Sequence, residues 1–73
     1  MSGDVRLVDA RGMLCPWPAL RLARTAREMG GEGQVRIRAD DPAAPRELEL
    51  MCRERGWGFE PLGDSEFAVT LNP

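Results

Sequence analysis

The sequence predicts a two-layer α/β sandwich of order βαβαββ, a mixed four-stranded sheet with two helices on one face. Three observations carry this reading. Four short segments alternate apolar and polar residues, two longer ones repeat apolar residues at helical spacing, and each predicted strand is apolar on one face only. Two helices suffice to cover that face, and the other must meet water or a partner. The 73 residues, 42% apolar and 30% charged, form one domain, 1–73. Its core is small, because a chain of this size buries only about 60% of the surface it exposes when unfolded.

Val5 and Leu7 alternate with Arg6 before Asp9, a short first strand with Val5 and Leu7 as its core face. A loop follows at Ala10 to Leu14. From Pro16 to Met29 the positions Ala19, Leu22, Ala23, Ala26 and Met29 form a helical stripe with Leu20 at its edge, and Arg21, Arg24 and Glu28 lie opposite. Gly30-Gly31 stops this helix. Gln34 to Ala39 is the second strand, Val35 and Ile37 facing in, Arg36 and Arg38 facing out.

The second helix carries Ala44, Leu48, Met51 and Cys52 on one stripe and ends at Gly56. Its start has two readings. Either Asp41 caps it with Pro42 in the first position, or regular helix begins at Pro45, which removes an early backbone bond. Trp57 and Phe59 then alternate with Gly58 and Glu60, and Phe67, Val69 and Leu71 with Glu66, Ala68 and Thr70. With Leu62 to Ser65 as the turn, these form a hairpin. The outer face of the sheet is expected to carry Arg6, Arg36, Arg38, Glu60 and Thr70. No internal repeat, linker or low-complexity segment interrupts the pattern.

Twelve acids and ten bases, every base an arginine, give a net charge of −2. That balance favours neither bulk nucleic-acid binding nor anionic membranes. Met1-Ser2-Gly3-Asp4 lacks a leader pattern, and no apolar run approaches the roughly 18 residues of a membrane span, so a cytoplasmic protein is expected. A monomer is the default for its size. Two cysteines and no histidine are too few ligands for a structural zinc site and exclude a Cys-His nucleophile pair. Nothing points to export, and free thiols are expected rather than a disulfide.

Gly12-Met13-Leu14-Cys15-Pro16-Trp17-Pro18 places one of those thiols where a helix begins. Cys15 falls at or beside the N-cap, Pro16 takes the first helical position, where a missing N–H is harmless, and Pro18 stiffens the first turn. A thiolate there is expected to face unpaired backbone N–H groups and the positive end of the helix dipole. That effect, about 0.3–1 kcal/mol and up to about 2 when partly buried, raises the thiolate share at neutral pH from about 3% to at most about a quarter. So modest a nucleophile suits a thiol that both accepts and releases a group. On spacing alone, a buried filler at a helix start is the equal alternative.

Asp9-Ala-Arg-Gly-Met-Leu-Cys-Pro-Trp-Pro18, followed by Asp40-Asp-Pro-Ala-Ala-Pro-Arg-Glu-Leu-Glu49, resembles the TusA/SirA/YeeD family of small sulfur-carrier proteins. That family is marked by Cys-Pro-x-Pro opening the first helix and Asp-Asp-Pro after the second strand. The resemblance spans almost the whole chain and implies the two-layer fold of the C-terminal domain of translation initiation factor three. It also implies a persulfide on Cys15, with no other cofactor. The sulfane sulfur would come from a cysteine desulfurase or rhodanese-type donor and pass to an acceptor protein, the chain acting with partner enzymes rather than alone. Met13 stands where the family usually has leucine, a volume-conserving change.

The contact residues expected around Cys15 are Pro16, Trp17, Pro18, Arg24, Arg27, Asp41 and Arg46. Arg21, Arg24 and Arg27 read either as a solvated helix face or as a basic docking edge, with Trp17 as an exposed anchor. Asp40 and Asp41 read as helix-capping carboxylates or partner contacts rather than as an acid/base or metal pair. Cys52 reads as packing, with a resolving thiol as the alternative. The arginines of the open face keep an RNA-binding or regulatory interaction module as the competing function. Against nucleic acid, Trp57, Phe59 and Phe67 fall on the buried face and leave no stacking platform.

Overall fold

The computed structural model describes residues 4–72; the reading of Met1, Ser2 and Gly3 as carrying no leader lies outside them. Its elements are β1 (Val5–Asp9), α1 (Trp17–Glu28), β2 (Gln34–Arg38), α2 (Ala44–Arg55), β3 (Gly58–Gly63) and β4 (Glu66–Thr70). The strands form one mixed sheet in the order β1-β2-β4-β3. β1 and β2 are parallel, and β4 is antiparallel to both of its neighbours. Among the described residues, no helix is long and apolar enough to cross a membrane.

Both helices bury the stripe their periodicity predicts. α1 buries Ala19, Leu22 and Ala26, and α2 buries Ala44, Leu48 and Cys52, against Val35, Ile37, Phe67 and Val69 of the sheet. Fully removing one such aliphatic side chain from water is worth about 1.5–3 kcal/mol. Phe59 and Phe67 stack with centroids 5.5 Å apart on this same face, as expected for the hairpin. α1 ends at Glu28 with Met29 as its C-cap, and its last carbonyls are satisfied when Gly31 N–H donates to Ala26 and Gly30 N–H to Arg27. α2 ends in the left-handed Gly56, after which Trp57 N–H donates to the Cys52 carbonyl at 2.8 Å. Its start lies close to the later alternative, with Ala43 as N-cap and Pro45 in the first turn.

β1 departs from the expected register. Val8 and Ala10 are buried, whereas Val5 and Leu7 are 54% and 75% exposed. Because side chains alternate faces, Leu7 aligns on the open face with Arg36 and Ala68, and Arg6 aligns with Val35 and Val69 on the helix face. The physical reason is position. α1 packs on β2 and α2, so burial at the edge strand is available to Val8 and Ala10 near the start of the following loop. Arg6 is long enough to remain solvated there while its guanidinium reaches Glu28 of α1 at 3.2 Å.

One junction ties the sheet's lower end together. Gln34 N–H donates to the Asp4 carbonyl at 2.8 Å, and Leu71 N–H donates to the Gly33 carbonyl at 2.9 Å. Gly33 has φ +100°, and a Cβ there would lie 2.8 Å from the Asp4 carbonyl oxygen and 2.9 Å from Met29 Cε. Only glycine fits that backbone and that space.

Candidate functional site

The loop from Ala10 to Cys15 is pinned at nearly every residue. Ala10 N–H donates to the Arg38 carbonyl at 2.7 Å and Met13 N–H to the Ala10 carbonyl at 3.2 Å. Asp9 grips Arg11 through both carboxylate oxygens, at 2.9 and 2.8 Å, and also accepts the Arg11 N–H. These bonds hold the Asp9 carboxyl far below the usual carboxylate range. Gly12 N–H donates to Asp40 Oδ1 at 2.9 Å, and Cys15 N–H to Asp41 Oδ2 at 3.3 Å. The two aspartates therefore fasten the cysteine loop to the loop after β2. Asp41 Oδ2 also accepts the Ala43 N–H at 3.3 Å, but the N-cap of α2 is Ala43 and has no side-chain cap.

Cys15 is half-buried and Cys52 is buried; both are free. The Cys15–Pro16 peptide is cis, Pro16 is the N-cap of α1, and Trp17 is its first helical residue, so Cys15 sits just outside the helix. Pro18 is fully buried and supports the turn from beneath. Leu14, Trp17 and Leu20, all within five positions of Cys15, are exposed, Trp17 to 59%. This exposed apolar set includes two residues, Leu14 and Leu20, that periodicity did not single out as contacts.

The thiol is not activated as expected. Pro16 and Pro18 have no N–H, and Trp17 N–H already donates to the Leu14 carbonyl at 2.8 Å. The start of α1 thus has few donors left for an anion. Desolvation by burial, the nearby carboxylate of Glu47 and the charge of Asp41 all push the Cys15 pKa up. These surroundings disfavour the Cys15 thiolate in the free protein. Glu47 was missed by sequence reasoning, although it lies inside the Asp40–Glu49 segment; only the fold brings it to Cys15.

The arginines do not form one edge. Arg21 and Arg24 line a groove beside β1 with Arg6 and Glu28, and Arg24 also bonds Glu28 at 3.4 Å. Arg27 lies across the helix in a groove with Arg55 and Trp57, about 15 Å along the axis from Trp17. Arg46 is exposed in the first turn of α2, beside Glu47. Of the expected contacts, Pro16, Trp17 and Asp41 thus lie at Cys15 itself, Arg46 in the neighbouring turn, and Arg24 and Arg27 farther along two flanks of α1.

With the half-exposed cysteine, its two anchoring aspartates and the βαβαββ sheet in place, the comparison with known families is decisive: the family described as "Sulfurtransferase TusA" matches residues 6–72. The chain belongs to the TusA family. It is 35% identical over 63 residues to the sulfur carrier protein TusA of Pseudomonas entomophila (strain L48), an alignment covering 86% of this chain and 76% of that protein. In this TusA-family chain the Cys-Pro-x-Pro and Asp-Asp-Pro segments, 26 residues apart between Cys15 and Asp41, are joined by a direct hydrogen bond.

Proposed function

We propose that this chain is a cytoplasmic sulfur carrier that accepts a sulfane sulfur as a persulfide on Cys15 and relays it to an acceptor protein. The observation that carries this reading is the contrast between its two thiols. Cys15 is half-exposed at the end of a braced loop with exposed apolar neighbours in the chain, while Cys52 is sealed in the core. Family membership and the carrier function named for the Pseudomonas relative support it.

In the loading step the Cys15 thiolate attacks the terminal sulfur of a persulfide on a cysteine desulfurase or rhodanese-type donor. The donor's S–S bond breaks, a new S–S bond forms on Cys15, and the donor cysteine leaves as its thiolate; no net oxidation occurs. Delivery is the same exchange with the carrier as donor. Burial and the neighbouring carboxylates raise the Cys15 pKa in the free carrier, which keeps the attacking thiolate disfavoured there. Trp17, Leu14 and Leu20 form the apolar centre of the docking surface, with Asp41 and Arg46 at its rim.

The test is intact-mass analysis after incubation with a cysteine desulfurase and cysteine. The expected product has gained one sulfur atom at Cys15, and Cys15→Ser gains none. A carrier that stays unloaded rejects the reading in favour of an interaction module, and loading on Cys52 rejects Cys15 as the carrier site.

A further inference from the structure

The two edges of the sheet are finished differently. β3 contains Pro61, which has no N–H to offer, and a bulge between Pro61 and Gly63; both discourage a further strand. β1 has neither. Its bonds to β2 begin at the Asp4 carbonyl and end at the Ala10 N–H. By the period of two, even-numbered residues of β1 bond to β2, and the N–H and C=O groups of Val5, Leu7 and Asp9 point outward. Charges that guard an edge are engaged within the chain, Arg6 by Glu28 at 3.2 Å and Asp9 by Arg11 at 2.8 Å.

The surroundings of this edge select its occupant. Val5 and Leu7 present exposed aliphatic surface on the open face. On the helix side a groove between β1 and α1 is lined by Arg6, Arg21, Arg24 and Glu28. Three guanidiniums there meet one carboxylate, which Arg6 and Arg24 share, and Arg21 has no ion-pair partner among the described residues. A second copy of β1 fits poorly, since it would bring either another Arg6 or its exposed Val5 and Leu7 into this cationic groove.

We propose that the free edge of β1 accepts an extended segment of a partner protein as a fifth strand, its acidic side chains facing the Arg21–Arg24 groove and its aliphatic side chains packing on Val5 and Leu7. The main chain supplies the affinity, and the acidic-aliphatic alternation supplies the specificity. β1 leads directly into the loop that holds Cys15, so a partner held here is anchored beside that thiol. The binding needs no sulfur and stands whether or not Cys15 carries one.

The test is an NMR titration of the isotope-labelled full chain with a capped heptapeptide of alternating glutamate and valine. Amide shifts are expected along Val5–Asp9, with shifts of the Arg21 and Arg24 Nε resonances. Binding should be lost with the lysine-valine counterpart, with a peptide N-methylated at alternate residues, and in the double variant Arg21→Glu, Arg24→Glu. Leu7→Pro, which removes an outward N–H and no bond to β2, should lose it too. Absence of β1 shifts at millimolar glutamate peptide, equal shifts with the lysine peptide, or shifts at β3 instead would overturn the proposal. So would β1 shifts on concentrating the protein alone, which would assign the edge to a second copy.

Discussion

Asp41 holds Cys15 by the backbone: its Oδ2 accepts the Cys15 N–H at 3.3 Å and, from the other side, the Ala43 N–H at 3.3 Å. One carboxylate oxygen therefore sets the position of the thiol relative to the start of α2. Asp41→Ala should cost about 0.5–2 kcal/mol, the range for losing a capping-type carboxylate, read from urea unfolding. Hydrogen exchange at the Cys15 amide should quicken by more than the global loss of stability explains. Unchanged exchange there would show that the bond does not hold the loop.

Glu47→Gln should make Cys15 a better nucleophile in the free protein. The wild-type thiol is raised by desolvation and by Glu47 and Asp41, so its titration midpoint should lie above the ordinary value of about 8.5. Removing the Glu47 charge should lower the midpoint and quicken alkylation by iodoacetamide at pH 7. The chain has no tyrosine or histidine, so thiolate absorbance in the far ultraviolet, read in a Cys52→Ala background, reports the Cys15 titration. An unmoved midpoint would remove Glu47 from the site.

Cys52 should make stability fall at alkaline pH. Burial, with the charge of Glu49 adding, pushes its thiol up to about 11. The folded state holds this proton more tightly than the unfolded chain, where the ordinary value is about 8.5. Its contribution is thus fully present below about pH 8.5 and is lost as pH rises through about 11. Urea midpoints should hold steady from pH 7 to 8 and drop above that, with a shallower drop in Cys52→Ala. Equal slopes would mean that Cys52 does not control alkaline unfolding.

Trp17→Ala tests the exposed apolar set near Cys15. With Trp17 59% exposed, the melting temperature should barely move, because exposed positions change stability by no more than about 0.5 kcal/mol. Affinity for a cysteine desulfurase, measured by calorimetry, should fall by about 2 kcal/mol or more if Trp17 is the central anchor. Undiminished affinity would place docking elsewhere.

The helices and three strands were legible because their periodicity comes from packing against one core. Ala19, Leu22, Ala26 and Leu48 could face nowhere else. β1 was misread because Val5-Arg-Leu-Val8 offers apolar residues to both faces, and only its place at the sheet edge chooses Val8. The chemistry of Cys15 was legible in part. Two prolines and the absence of histidine were visible, but the cost of those prolines in N–H donors emerges only with the Trp17–Leu14 bond. Glu47 lies 32 positions beyond Cys15, and no local pattern joins them. The three arginines of α1 were grouped by sequence proximity, whereas the helical turn sends Arg27 to a different flank from Arg21 and Arg24.

The junction at Gly33 and Gln34 has an architectural consequence. Asp4 and Leu71 bond to these consecutive residues from opposite sides of β2, which leaves Asp4 and Leu71 only two strand spacings apart, about 10 Å. A short flexible bridge should close the backbone into a ring, and new ends opened at the Asp64 hairpin tip should yield a permuted protein that folds to the same shape. Such a rearranged chain would leave the Cys15 loop uninterrupted.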